Sequence, residues 1–529
     1  MLTLINTNRM LPPIAPVGLD YLAEAVRRAG FEVDLLDLCL ADDHHAALAE
    51  YFADHRPELV GASLRNVDDC FWPSGASFLP DLKQIVDTVR ALSGAPIVLG
   101  GVGFSIFARE IVEHTAADFG IRGDGEQACV ALIGQLRGPR RWDQVEGLIY
   151  REGGRATAHG PAGGGQSHFR SLRRENWDSP RERLRGMLRS NPPAWPRQLS
   201  IPTSRDTVDN ATYFRRGGQI GVETKRGCPR QCIYCADPLA KGTAARLRSP
   251  TEVADEVQAL LAQGVDVLHL CDSEFNVPSD HARLVCDELV RRQLPRRVRW
   301  YAYLAVTPFD ADLARRMAAA GCVGINFTGD AAHPAMLATY RQPHRQEDLA
   351  QAVKLCRSSG MAVMLDLLLG GPGETPQTVA ETIRFVKQID PDCAGAALGV
   401  RVYPGTAMAE MVAAEGSFET NPNIRRRPLR PCLGTNLRLV PCPSGAREGP
   451  VDLLRPTFYV SSALGEHPAR LVRDLIAGDE RFFPPEDESS AAAPDSPGDH
   501  NYNQNQALVD AIAAGARGAY WHILRGLRA

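Results

Sequence analysis

The sequence predicts an α/β protein made of two parallel-sheet domains in series: a doubly wound, Rossmann-like N-terminal domain, then a partial or full βα-barrel, with a mixed C-terminal region behind them. Three observations predict it. Short apolar runs alternate with amphipathic stretches over residues 1–150, the alternation resumes over 219–415, and a segment rich in Gly, Pro and Arg separates the two. At 529 residues the chain exceeds what one hydrophobic core organises, so two or three domains are expected.

The elements follow in order. LTLIN (2–6) reads as a buried strand, GLDYLAEAVRRAG (18–30) as a helix stopped by Gly30, and FEVDLLDL as the next strand. Further strands are expected at 58–63, 96–99 and 118–121, with helices at 79–92 and 106–115 between them. A parallel sheet of this kind binds its ligand beyond the carboxyl ends of its strands. Residues 151–218, including GPAGGGQ, read as a linker or wrapping segment. Over 219–415 the pattern supplies about six strands and five helices, enough for most of a βα-barrel. In 416–529, expected to border the substrate pocket, residues 485–506 are loop-like or disordered by composition, and an amphipathic helix is expected from about 507.

Composition excludes several classes of function. Lys plus Arg (59) nearly balances Asp plus Glu (63), leaving a formal charge of -4 and no basic excess suited to nucleic acid. The N-terminus lacks a basic, cleavable leader and no run of 18 uncharged apolar residues occurs, so a soluble cytoplasmic chain without a membrane partner is expected. Of 13 cysteines, most are scattered in apolar segments, as at Cys286, Cys322 and Cys356, and read as buried thiols.

Three cysteines cluster, in Cys228-Pro-Arg-Gln-Cys232-Ile-Tyr-Cys235. Three thiolates do not complete a tetrahedral zinc site and no His lies nearby, whereas a 4Fe-4S cube held by three thiolates keeps one iron open. A zinc knuckle with a distant fourth ligand and a chance triplet of buried thiols are the alternatives. The pattern, with Tyr234 before the last cysteine, resembles the radical S-adenosylmethionine (SAM) superfamily, in most of whose members the open iron chelates SAM. Four later turns resemble that superfamily's SAM contacts: Asp272 and Glu274 on the side of the amino group, Asn326 and Asp330 on the ribose side, Gly370-Gly371 in the glycine-rich turn, and Tyr403 on the adenine side. Taken alone, Gly370-Gly371-Pro372-Gly373 would read as an ordinary tight turn.

The front domain carries turns that resemble the cobalamin-binding class. They are Ser63-Leu64-Arg65-Asn66, Gly100-Gly101-Val102-Gly103 and Gly123-Asp124-Gly125-Glu126, with Asn8 just past the first strand. The Asp-x-His-x-x-Gly signature of histidine-ligated cobalamin proteins is absent, and His44 and His45 lack its spacing. The resemblance therefore implies cobalamin with its own base displaced and no histidine on the lower face. A flavodoxin-like or degenerate nucleotide-binding module used for docking is the alternative.

Together, residues 1–415 resemble the cobalamin-dependent radical SAM methyltransferases. That resemblance implies three cofactors (a 4Fe-4S cluster, cobalamin and SAM), an external electron donor of flavodoxin or ferredoxin type, and methyl transfer from methylcobalamin to a carbon of a small molecule. A cyclase or oxidase that transfers no methyl group, and a corrinoid-binding sensor with a structural cluster, are the other readings. A guanidinium is always protonated and cannot ligate a metal, so Arg65 under cobalt would block the lower face. Glu274 near the open iron would hinder SAM chelation. Both features resemble the tryptophan 2-C-methyltransferase type. Otherwise Arg65 pairs with Asp68, Asp69 or a corrin amide, and Glu274 binds SAM's amino group in the ordinary way.

Overall fold

In the computed structural model, residues 1–152, 187–427, 429, 454–486 and 505–528 are described. Strands β1 (Leu2–Asn6), β2 (Val33–Asp37), β3 (Leu59–Ser63), β4 (Ile97–Gly100), β5 (Phe119–Ile121), β6 (Leu148–Glu152) and β7 (Met187–Ser190) form one sheet. Its order is β2-β1-β3-β4-β5-β6-β7, parallel through β5 and antiparallel beyond it. Helices cover both faces, so β1 is buried along its whole length, as its unbroken apolar run requires. The order reverses between β1 and β3, which opens a crevice at the carboxyl ends of these strands. The stretch 151–218, read as a linker or wrapping segment, contributes β7 to this sheet and a short helix, Asn210–Arg215. The expected helix 106–115 is broken into Val102–Ile106 and Ala108–Thr115.

The second domain starts at β8 (Gly221–Val222) and the small hairpin of β9 (Lys225–Arg226) and β10 (Arg246–Leu247). Strands β11 (Val267–Leu270), β12 (Arg299–Ala305), β13 (Cys322–Asp330), β14 (Ala362–Leu369) and β15 (Cys393–Leu398) follow, each but the last leading into a helix on the outside. With β8 and a late strand, β19 (Phe482–Phe483), they form a parallel sheet of order β19-β15-β14-β13-β12-β11-β8. It is an open arc, since β8 and β19 lie at its two edges. Strands β16 (Val400–Arg401), β17 (Ile424–Arg426) and β18 (Thr457–Tyr459) make a separate antiparallel sheet.

Helix caps locate the barrel turns. Ser249 and Glu252 form a reciprocal capping box at helix Pro250–Ala262, and Thr375 caps Pro376–Ile389. The final helix expected from about 507 is two helices, Gln506–Ala513 and Tyr520–Arg528, separated by Gly515 and Gly518 at positive φ. Their Leu508, Tyr520, Trp521 and Leu524 pack with Val267, Tyr301, Met364 and Cys393, plugging the barrel interior at its lower end. Of the expected disordered stretch, 487–504 lies outside the described residues.

A buried ionic network joins the domains. Arg205, with no exposed surface, donates to Asp20 Oδ2 of the first helix at 2.6 Å and to Glu256 Oε1 of a barrel helix at 2.7 Å. Buried charges persist only when paired and hydrogen-bonded this fully, and Arg205 also reaches Gly221 O and Asn210 Oδ1.

Candidate cobalamin, cluster and substrate site

A cavity of about 490 Å³ lies at the carboxyl ends of the first sheet, closed on its far side by the barrel. Asn8, Ser63, Arg65, Asn66, Gly100, Gly101, Gly123, Gly125 and Glu126 line its front wall, so most of the front-domain residues expected at the cofactor meet there. Their assembly has a backbone cause. At Gly101, φ is +107° and a Cβ would lie 2.4 Å from Leu64 O. At Gly103 a Cβ would lie 2.7 Å from the Asn66 carbonyl carbon. These glycines let the turn after β4 sit against the loop after β3, which differs from the expected direct approach to a ligand.

Two residues of this set are corrected. Leu64 points into the core at 2 % exposure, and Gly103 packs on Asn66; neither lines the cavity. Glu126 reaches the cavity edge, but both its carboxylate oxygens accept from Arg226. Asn8 Nδ2 is buried there without a partner, the kind of orphaned donor a bound polar ligand satisfies. His44 lies on helix His44–Asp54, its Nδ1 2.9 Å from Arg9 Nη1, and His45 faces Gln84; neither lines the cavity.

Arg65 is exposed into the space between the domains and lines both this cavity and a second one. Asp68 is taken by Arg401, at 2.9 Å from Nε and 2.7 Å from Nη2, and Asp69 accepts from Ser74. Arg65 thus forms no ion pair among the described residues, and the expected alternative of an Asp68 pair fails. Its charge does act on Cys271, Tyr303 and Tyr520, lowering the pKa of each against the larger rise from burial.

The cluster loop runs from β9 to helix Asp237–Lys241. Gly227, at φ +88°, brings the chain against Ala244 O, where a Cβ would sit at 2.2 Å, and Cys228 N donates to Gly242 O at 3.1 Å. Cys228, Cys232 and Cys235 are free thiols, and Gln342 Nε2 donates to Cys232 Sγ at 3.3 Å. Among the described residues no three ligand side chains converge on a single ion. Three thiolates of a cube bind separate irons and need no such convergence. Tyr234 donates to Asp330 Oδ2 at 2.6 Å and packs edge-on against Tyr340.

Glu274 lies on the cluster side, as Asp237 and Asp330 also do. Its Oε1 accepts from Thr328 at 3.1 Å, its Oε2 is buried without a partner, and its charge acts on both Cys228 and Cys232. Burial pushes its carboxyl up to about 8. Asp272, expected beside it, is corrected: Thr224 N, Thr224 Oγ1, Lys225 N and Lys225 Nζ all donate to its carboxylate, so it braces the strand before the cluster loop. Gly370 N donates to Glu374 Oε2, Gly371 lies under the Tyr340 hydroxyl, and Tyr403 is buried with its hydroxyl 2.9 Å from Cys70 Sγ. Those three positions form closed turns or domain contacts here.

A second cavity, about 350 Å³, runs down the barrel interior between Arg65, His269, Tyr303 and Asn326 and the plug residues Tyr520 and Trp521. Tyr303 is 48 % exposed, but into these internal spaces, and burial raises its phenol to about 12. His269, Tyr303 and Asp366 escape sequence reading, whereas Cys271 stands in the turn expected to face SAM's amino group. Period-two alternation in Val-Leu-His-Leu-Cys and Tyr-Ala-Tyr signals that one face holds them, though not which.

A cobalamin crevice abutting a three-thiol loop on a parallel βα arc defines a radical SAM enzyme with a corrinoid domain. The radical SAM superfamily profile matches residues 222–386 and the B12 binding domain profile residues 5–133. Tryptophan 2-C-methyltransferase of Streptomyces laurentii is 34% identical over 444 residues, 78% of this chain and 74% of that protein. Two solved structures of the radical SAM methyltransferase TsrM of Kitasatospora setae cover 100% of this chain and 97% of theirs. The one with tryptophan substrate and a SAM analogue has a TM-score of 0.82 at 30% identity; the one with cobalamin and a [4Fe-4S] cluster has 0.80 at 29%. The chain belongs to the cobalamin-dependent radical SAM methyltransferases. It is an enzyme that uses cobalamin, SAM and a 4Fe-4S cluster to move a methyl group to a carbon of a small molecule. No helix of the described residues is long and apolar enough to cross a membrane.

Proposed function

We propose that the substrate is tryptophan, methylated at indole C2 by a polar route. The observation that carries this reading is the Arg65 guanidinium, without an ion pair among the described residues, lining both cavities together with the aromatic Tyr303. The TsrM structure holding tryptophan and the resemblance of Arg65 and Glu274 to that enzyme type support it. Cobalamin, when bound, supplies methyl carriage, and the cluster supplies electron transfer.

The protein's own part is positioning and exclusion. Arg65 carries five donors and no acceptor, so beside a bound corrin it would exclude water without ligating the metal. Cys228, Cys232 and Cys235 would hold the 4Fe-4S cluster through their thiolates. Glu274, whose Oε2 is buried without a partner and whose charge acts on Cys228 and Cys232, would compete with SAM's amino-acid end for the open iron. Asn8, Asn66 and the turn at Gly100-Gly101, which line the cavity, would hold the edge of the corrin. An external donor of flavodoxin or ferredoxin type reduces the enzyme.

The test is incubation of reconstituted enzyme with SAM, reductant and tryptophan, followed by mass spectrometry. 2-Methyltryptophan and S-adenosylhomocysteine are expected without matching 5'-deoxyadenosine. Deoxyadenosine formed in step with methylation would reject the polar route, and an unmodified tryptophan pool would reject the substrate.

A further inference from the structure

Asp366 lies on β14, between β13, which supplies Asn326 to the barrel cavity, and β15, which supplies Ala397. Its register partners are Thr328 and Gly395. Thr328 donates inward to Glu274, so Asp366 projects from the same face of the sheet. Asn326 is 7% exposed and its Oδ1 is buried without a partner. Tyr303, whose side chain opens into both cavities, feels the Asp366 charge directly.

Asp366 has no cation. Burial, the largest influence, pushes its carboxyl up to about 7; Asn326 lowers it and the Asp330 charge raises it. No ion pair to Asp366 exists among the described residues, unlike Asp20, Asp68 and Asp272, each of which has an Arg or Lys. A half-buried carboxylate without a cation, close to an unsatisfied amide oxygen, is complementary to a group that is all donor and positively charged. A ribose hydroxyl would satisfy the hydrogen bonds but leave the charge uncompensated.

We infer that Asp366, with the Asn326 amide oxygen beside it, receives the α-ammonium group of an amino-acid ligand. This rests on the proposed reading of the site, in which Glu274 keeps SAM's amino-acid end off the iron and so leaves its ammonium without a partner. Tryptophan carries the same group. The shared chemistry is the α-ammonium, and the two sources are separated by experiment.

The experiment is calorimetric titration of the cobalamin- and cluster-loaded enzyme, whose cofactor spectra are checked first. Loss of one charge-assisted hydrogen bond corresponds to a weakening of about tenfold or more. If the ammonium is tryptophan's, tryptamine outbinds indole-3-propionate on the wild type, and Asp366→Asn weakens tryptophan about tenfold while leaving S-adenosylhomocysteine unchanged. If it is SAM's, S-adenosylhomocysteine outbinds its deaminated analogue, and Asp366→Asn weakens that ligand alone. Should neither ligand lose affinity with its ammonium on the wild type, the inference is overturned, whether or not the variant folds. Methylation of tryptophan by the wild type is scored separately, so the substrate reading and this inference fail independently.

Discussion

Arg226 and Glu126 make a two-pronged contact between the domains, Nη1 to Oε2 at 3.0 Å and Nη2 to Oε1 at 2.8 Å. Arg226 stands two residues before Cys228, and Glu126 follows the last glycine turn of the front domain. The cluster loop and the corrin crevice are thereby held to one another by a buried ion pair, and the Asp124 and Glu223 carboxylates also pair with Arg226. Burial lowers the pKa of Arg226 and these carboxylates raise it, and the carboxylates win.

Glu126→Ala should therefore destabilise the protein by about 3 kcal/mol, the low end for breaking a buried pair, because Glu223 still shields Arg226. Thermal unfolding of the cofactor-loaded enzyme measures it. An unchanged Tm would show that the pair does not hold the domains.

Single Ala substitutions at Cys228, Cys232 and Cys235 should each abolish the cluster, while Cys271→Ala, which lines the corrin side of the cavity, should keep it. Iron and sulfide analysis after anaerobic reconstitution decides. A full cluster in Cys232→Ala would remove the assignment.

Arg65→Ala should admit water beneath the corrin, altering the visible and paramagnetic spectra of bound cobalamin and slowing methylation, with Arg65→Lys intermediate because an ammonium on a flexible stem can move aside. His44→Ala with His45→Ala should leave the same spectra as the wild type. A histidine-ligated spectrum lost in that double variant would contradict the site.

Gly101→Val should lower both Tm and cobalamin content. A Cβ there meets Leu64 O at 2.4 Å in a backbone region that costs a β-branched residue about 1–2 kcal/mol before any clash. Normal stability with lost cobalamin would instead point to direct contact between glycine and corrin.

The sequence by itself determined the order of elements, the three thiols and the turns after β3 and β4. These depend on local signals: apolar runs, short-range spacing, and glycine where φ is positive or backbones nearly touch. Cys228, Cys232 and Cys235 sit within one loop, so their chemistry is legible without a fold. Only the tertiary structure decided what Asp272, Glu126 and Tyr403 do, because their partners Lys225, Arg226 and Cys70 come from other strands or the other domain. The same holds for Asp366 and Tyr303. A strand's alternation shows that every second side chain shares a face, but which face lines the cavity is set by how the arc closes on its C-terminal plug. Whether a buried carboxylate meets a cation or is left to a ligand depends on which long-range neighbours arrive.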